Sequence, residues 1–131
     1  MLITEDVIEV EKYINKTWKQ FDTKLEIRLD KLFPKPLNKG LNHIWKYGSA
    51  DLCVYKNEKL ICIIEVGGSH HMQNDKQKKN DARKWKLCDI NNVSCLTMMN
   101  GLQKRLSNRK WRNLLGRYLF GIAKELNLKT V

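Results

Sequence analysis

Between Ala50 and Lys84 the chain reads ADLCVYKNEKLICIIEVGGSHHMQNDKQKKNDARK. Asp51 opens one apolar run and Glu65 closes a second; Gly67-Gly68, the adjacent His70 and His71, and a strongly basic segment follow. Two carboxylates at the ends of paired strands, with basic residues close behind, suit Mg²⁺-dependent phosphodiester chemistry. The acids offer hard oxygen ligands to the cation, and the basic residues offer positive charge to the phosphate. Gly67-Gly68 lets the chain bend sharply and brings backbone close to a ligand. Adjacent histidines rarely point the same way, so at most one of His70 and His71 reaches such a centre; otherwise both are loop residues.

The elements that would position these groups are legible. Ala50–Tyr55 and Leu60–Val66 are apolar, β-branched-rich runs joined by the polar Lys56-Asn57-Glu58-Lys59, a β-hairpin pattern. Facing residues of an antiparallel pair have a constant number sum. A turn centred near 57–58 gives a sum near 115–116, placing Asp51 opposite Ile64 or Glu65. On one face the two carboxylates would be neighbours about 5 Å apart at Cβ. Alternation puts Asp51, Cys53 and Tyr55 on one face of their strand and Ile61, Ile63 and Glu65 on one face of theirs. Side-by-side negative charges repel, and a divalent cation between them removes that penalty.

Around the hairpin, Thr4 can cap a first helix whose apolar face is Ile3, Val7, Val10, Ile14 and Trp18. Glu11 falls beside that stripe, either snorkelling to solvent or reaching the centre as a helper carboxylate, the former being favoured. Residues 24–29 alternate as a short edge strand. A loop of roughly twenty residues follows, an uncommon length for a compact domain unless it has a task. Its Lys35, Lys39, His43, Trp45, Lys46 and Tyr47 could hold a phosphate backbone and stack a base, or Leu41, Ile44 and Trp45 could merely cover the core. A second helix starts near Asn74 or Asp75. Its Ala82, Trp85, Leu87, Cys88 and Ile90 can face the sheet, with Lys76, Lys78, Lys79, Arg83, Lys84 and Lys86 as its charge. Val93–Met98 is the next strand, parallel to Leu60–Val66 because a helix joins them. Ser107 or Asn108 caps the last helix, whose stripe is Trp111, Leu114, Leu115, Tyr118, Leu119, Ile122, Ala123 and Leu126.

Composition bounds the class. At 131 residues one domain is expected, with an N-terminal helix in 1–22, a catalytic core in 23–98 and a basic C-terminal helix in 99–131. With 25 Lys+Arg against 14 Asp+Glu the net charge is +11, a field that favours polyanions, nucleic acid ahead of anionic membrane. The excess is concentrated late: from Gly101 on, Lys104, Arg105, Arg109, Lys110, Arg112, Arg117, Lys124 and Lys129 face the single acid Glu125. Such a run is either a solvated face or a nucleic-acid contact. No apolar run approaches the roughly 20 residues of a bilayer span. The acidic, amphipathic N-terminus is unlike a targeting peptide, so a cytoplasmic location is expected. Cys53, Cys62, Cys88 and Cys95 have no zinc spacing and sit in apolar contexts, as buried free thiols do.

The order helix, strand, strand, strand, helix, strand, helix (αβββαβα), with acids on the central hairpin, resembles the PD-(D/E)xK nuclease superfamily. The pattern D-x12-IEVxGSxH, the basic QKKND segment, the amphipathic helix and the short strand are similar to its Vsr-like branch. That branch holds very-short-patch-repair endonucleases and related uncharacterised bacterial nuclease-like domains. RLDKLF and NHIW extend the likeness over about Leu25–Thr97. The resemblance implies an α/β (α+β) restriction-endonuclease-like core with a mixed sheet flanked by helices, and a metal-dependent endonuclease acting on DNA. Asp51, Glu65 and the Val66 carbonyl would hold Mg²⁺, with Mn²⁺ as a substitute. His71 would act as general acid or base or bind phosphate, and Lys79, Lys84 or Gln77 would stabilise developing charge. Lys46, Lys76, Lys78, Lys84, Arg109, Lys110 and Arg117 are the candidate nucleic-acid contacts, with DNA ahead of RNA as partner and no membrane. The chain departs at Gly67, where the superfamily places lysine and the Vsr-like branch an acid; His71 or a basic residue on the next helix would take that role. The alternatives are a silent nucleic-acid-binding or interaction module and an RNA-directed nuclease. A homodimer or a recruiting partner would fit so small a chain, and Leu126, Leu128 and Val131 could serve a dimer or cap the core.

Overall fold

The computed structural model describes residues 5–66, 75–98 and 108–129. The chain divides into two compact units, Met1–Asn100 and Gly101–Val131. The first is an α+β unit whose elements run α1 (Glu5–Thr17), β1 (Asp22–Arg28), α2 (Leu29–Leu32), α3 (Asn42–Tyr47), β2 (Ser49–Lys56), β3 (Lys59–Val66), α4 (Asp75–Ile90) and β4 (Ser94–Met98). A four-stranded mixed sheet in the order β1-β2-β3-β4 is antiparallel except for the β3–β4 pair, which α4 connects.

The β2–β3 hairpin closes on Asn57 and Glu58, which both take positive φ (51° and 67°), the backbone a two-residue turn needs to match strand twist. Facing residues sum to 115 at Tyr55↔Leu60 and to 116 at Val54↔Cys62, Cys53↔Ile63 and Leu52↔Ile64. Ile61 is the extra residue, a bulge on β3. Leu52, Cys53, Val54, Cys62, Ile63 and Ile64 are all fully buried, so both strands are covered on both faces. Cys53 and Ile63 pack with Leu87 and Cys88 of α4 and with Leu41 and Ile44. Thr23, which pairs with Val54 and so points the other way, donates to Glu11 of α1 at 3.0 Å. Helices α3 and α4 therefore cover one face and α1 the other, with Val7, Val10 and Ile14 as its buried stripe.

Residues 30–48 are not the structureless loop expected from their composition. They form α2, a 3₁₀ turn at Lys39–Leu41 and α3, held because Leu29, Phe33, Leu41 and Ile44 drive into the core and Trp45 Nε1 donates to the Phe33 carbonyl at 2.9 Å. α3 turns directly into β2 at Gly48, whose N–H bonds the Ile44 carbonyl at 2.8 Å. A Cβ at Gly48 would lie 2.5 Å from that carbonyl oxygen and 3.0 Å from side-chain carbons of Ile44 and Leu29. Gly48→Ala should therefore lower stability by about 1–3 kcal/mol, read as a fall in Tm by circular dichroism; an unchanged Tm would refute the close-approach argument.

The second unit contains α5 (Asn108–Lys129). Leu115, Leu119 and Ile122 are buried on it, whereas Leu114, expected in the same stripe, is 49% exposed. Among the described residues no helix is long and apolar enough to cross a membrane.

Candidate acid–lysine site

The bulge decides which residue faces Asp51. Continuing the 116 register by one step sets Asp51 opposite Glu65, on the α4 side of the sheet with Cys53 and Ile63. The two acids clasp the strand ends reciprocally: the Asp51 N–H donates to Glu65 Oε2 and the Val66 N–H donates to Asp51 Oδ2, both at 3.0 Å. Glu65 is the one buried charged residue among those described, while Asp51 is half-buried.

Lys84 completes the site from α4. Its ammonium forms an ion pair with Glu65 Oε1 and donates to the Ser49 carbonyl at 2.8 Å. The lysine meets Glu65 Oε1 through both opposite charge and a hydrogen bond. Burial alone would lower the Lys84 pKa, but the charges of Glu65 and Asp51 outweigh it and raise it. Asp51 moves the other way from an ordinary carboxylate. Burial, the charge of Glu65 and a hydrogen bond between the two carboxyl groups push it up to about 7, against the opposing Val66 N–H and Lys84. One lysine thus does not offset the repulsion between two adjacent acids, and the Asp51 carboxyl holds its proton to higher pH than an ordinary carboxylate.

That shortage of positive charge is what a divalent cation would relieve. The two carboxylates are hard oxygens of the kind Mg²⁺ and Mn²⁺ take, and the Val66 carbonyl that the resemblance adds to them belongs to the residue whose N–H Asp51 holds. Among the described residues no group of three or more His, Cys, Asp or Glu gathers, so a cation here would take water for the rest of its shell, as is usual for Mg²⁺.

Lys84, one of three residues the resemblance offers for stabilising developing charge, lies three and four residues before the buried Leu87 and Cys88, on the sheet-facing stripe. That spacing was the available signal. Ala82, Trp85 and Ile90, expected to face the sheet, are exposed. Lys79, five residues before Lys84, is rotated by roughly 140° around the helix. It is exposed, and among the described residues it makes no ion pair with either acid. Lys76 and Lys78 lie on the first turn of α4, Lys46 is exposed on the last turn of α3, Arg117 is exposed on α5, and Arg109 and Lys110 lie on the first turn of that helix. His71, with His70 and Gly67-Gly68, lies outside the described residues.

Two neighbours went unread in the sequence. Glu65 pairs with Thr97 on β4, and the Thr97 hydroxyl accepts from Trp85 Nε1 at 3.0 Å, tying α4 to the strand beside the acids. Glu26 occupies the β1 position across from Asp51, where the ladder skips because Glu26 takes φ 47°. Glu11 is half-buried and accepts from the Thr23 hydroxyl at 3.0 Å, so it neither extends freely into solvent nor contacts Asp51 or Glu65. The cysteines are free. Burial and then the charge of Glu65 push Cys53 up to about 12, burial raises Cys62, and contact with Cys88 raises Cys95, so none of these three is a ready nucleophile.

Comparison with protein-family models, curated proteins and solved structures finds no match to this chain.

Proposed function

We propose that the chain is a Mg²⁺-dependent endonuclease with a restriction-endonuclease-like core, hydrolysing phosphodiester bonds in DNA. The observation that carries this reading is the clustering of Asp51, Glu65 and the Lys84 ammonium at one end of the hairpin. The element order around it, and the +11 charge of the chain, support the same reading. Mn²⁺ or Mg²⁺ held by Asp51, Glu65 and the Val66 carbonyl supplies Lewis-acid polarisation of the phosphate and a more acidic water. The acids position that ligand shell. Lys84 fills, from the helix, the role left open by Gly67: a fixed cation beside the phosphate that stabilises charge as it develops.

The test is a cleavage assay with Mg²⁺ or Mn²⁺ on single-stranded, duplex and branched DNA and on RNA. Asp51→Ala and Glu65→Ala should each reduce the rate by roughly a hundredfold or more, the loss of several kcal/mol of metal-mediated stabilisation. Equal rates in wild type and both variants would overturn the assignment.

A further inference from the structure

Four residues before Asp51 in the chain stands an aromatic side chain that the acid–lysine chemistry leaves unused. Tyr47 ends α3 with 68% of its surface exposed. His43, one helical turn earlier and also exposed, contacts it with ring centroids 4.9 Å apart and planes tilted by 49°. The Lys46 ammonium lies 5.5 Å from the centre of the Tyr47 ring. Trp45, by contrast, spends its N–H on the Phe33 carbonyl and is half-buried in the core. Of the aromatic residues in this segment, the exposed pair is the one without a packing task.

Its location is fixed by rigid backbone. Arg28 Nη2 donates to the Lys46 carbonyl at 3.0 Å, and Gly48 is pressed against Ile44. The Ser49 carbonyl is held by Lys84, and the Asp51 N–H by Glu65. Tyr47 is four residues from Asp51, at most ~14 Å along the chain, a distance covered by roughly four stacked nucleotides at 3.4 Å each. The His43 contact limits the freedom of the ring before anything binds, which lowers the ordering cost of a stacked ligand. Beside it Lys46 supplies charge for a phosphate, in a chain whose net charge of +11 favours a polyanion over an apolar protein surface.

We propose that Tyr47, backed by His43 and flanked by Lys46, is a stacking platform for an unpaired base. The substrate of the adjacent acid–lysine site is then a single-stranded or frayed strand and not an intact duplex. The word substrate here rests on the nuclease reading above; the platform itself does not. A ring at a helix end can cover the face of a base only once that base has left its own stack, and stacking of this kind tolerates any base.

The test measures binding with metal withheld by a chelator, so it is independent of cleavage. Fluorescence anisotropy would compare a short labelled oligodeoxythymidylate, an oligouridylate, an abasic strand of the same length and a blunt duplex. Tyr47→Ala should weaken both base-bearing single strands about tenfold, leave the abasic strand and the duplex unchanged, and leave Tm unchanged; Tyr47→Trp should restore the affinity. Equal affinity of wild type and Tyr47→Ala for the single strands would overturn the platform, as would an equal loss on the abasic strand, a loss confined to the duplex, or no strand binding by the intact chain. Unaltered cleavage in the Asp51 and Glu65 variants would instead overturn the nuclease reading alone.

Discussion

Replacing Lys84 with methionine should cost the fold about 3 kcal/mol at pH 8 and reduce phosphodiester cleavage by roughly a hundredfold. Methionine keeps the aliphatic stem beside Leu87 and Cys88 but removes the cation from Glu65 Oε1 and the donor from the Ser49 carbonyl. What remains is a buried carboxylate next to a second acid, and an uncompensated buried charge is the expensive part of a broken ion pair. Urea denaturation should show a lower midpoint with an unchanged slope. The deficit should shrink towards pH 5, where Asp51 is protonated and no longer repels Glu65. Adding Glu65→Gln to the methionine variant should restore most of the stability and none of the cleavage, which separates the folding role of the lysine from its chemical one. A methionine variant as stable as wild type at pH 8 would show that solvent already screens the pair.

Asp51→Asn should have the opposite signs: a more stable protein at pH 8, by ~2 kcal/mol after discounting for the half-exposed position, with cleavage abolished. The asparagine oxygen can still accept from the Val66 N–H, and its amide can donate to Glu65, so repulsion becomes attraction. The pH dependence follows from the shift. Asp51 titrates near 3.8 when unfolded and about 7 when folded, so between those values the folded state holds more protons. Stability of the wild type then falls as pH rises through that window and is level above it, relative to a chain lacking the group. The asparagine variant should lose that slope, and saturating Mg²⁺ should narrow its advantage, because a ligand that binds only the folded wild type stabilises it. Equilibrium unfolding from pH 4 to 8 decides the matter; an asparagine variant less stable at pH 8 would mean that the acids are already neutralised.

How much of this was readable beforehand varies with the kind of interaction. The hairpin, α1 and α5 follow from apolar spacing, because burial of one face writes itself into periodicity. The parallel β3–β4 pair follows from the helix that joins its strands, and α4 was legible as a helix although Ala82, Trp85 and Ile90 of its expected inner face are exposed. The pairing sum narrowed the partner of Asp51 to Ile64 or Glu65 but could not choose, since a bulge at Ile61 leaves no mark in a run of apolar residues. Lys84 was named among several basic residues without its place, because a charged residue on a sheet-facing stripe looks like an error in the pattern until the acid it meets is located. α3 escaped notice since a six-residue helix flanked by Pro34, Pro36, Gly40 and Gly48 has the composition of a loop; tertiary burial of Leu41 and Ile44 holds it.

The bulge at Ile61 also bears on how the hairpin finds its alignment. Leu52, Cys53, Val54, Cys62, Ile63 and Ile64 are buried whichever way they point, so sliding one strand past the other by a residue exchanges one apolar neighbour for another at little cost. Apolar burial is nearly degenerate between the two alignments. The charged groups are not: after such a slip Asp51 would meet Ile64, and Glu65 would lose both the Asp51 N–H and Lys84. In this chain the polar cluster acts as the vernier of an otherwise ambiguous strand pair, and Asp51, Glu65 and Lys84 select the native register from its nearest competitor.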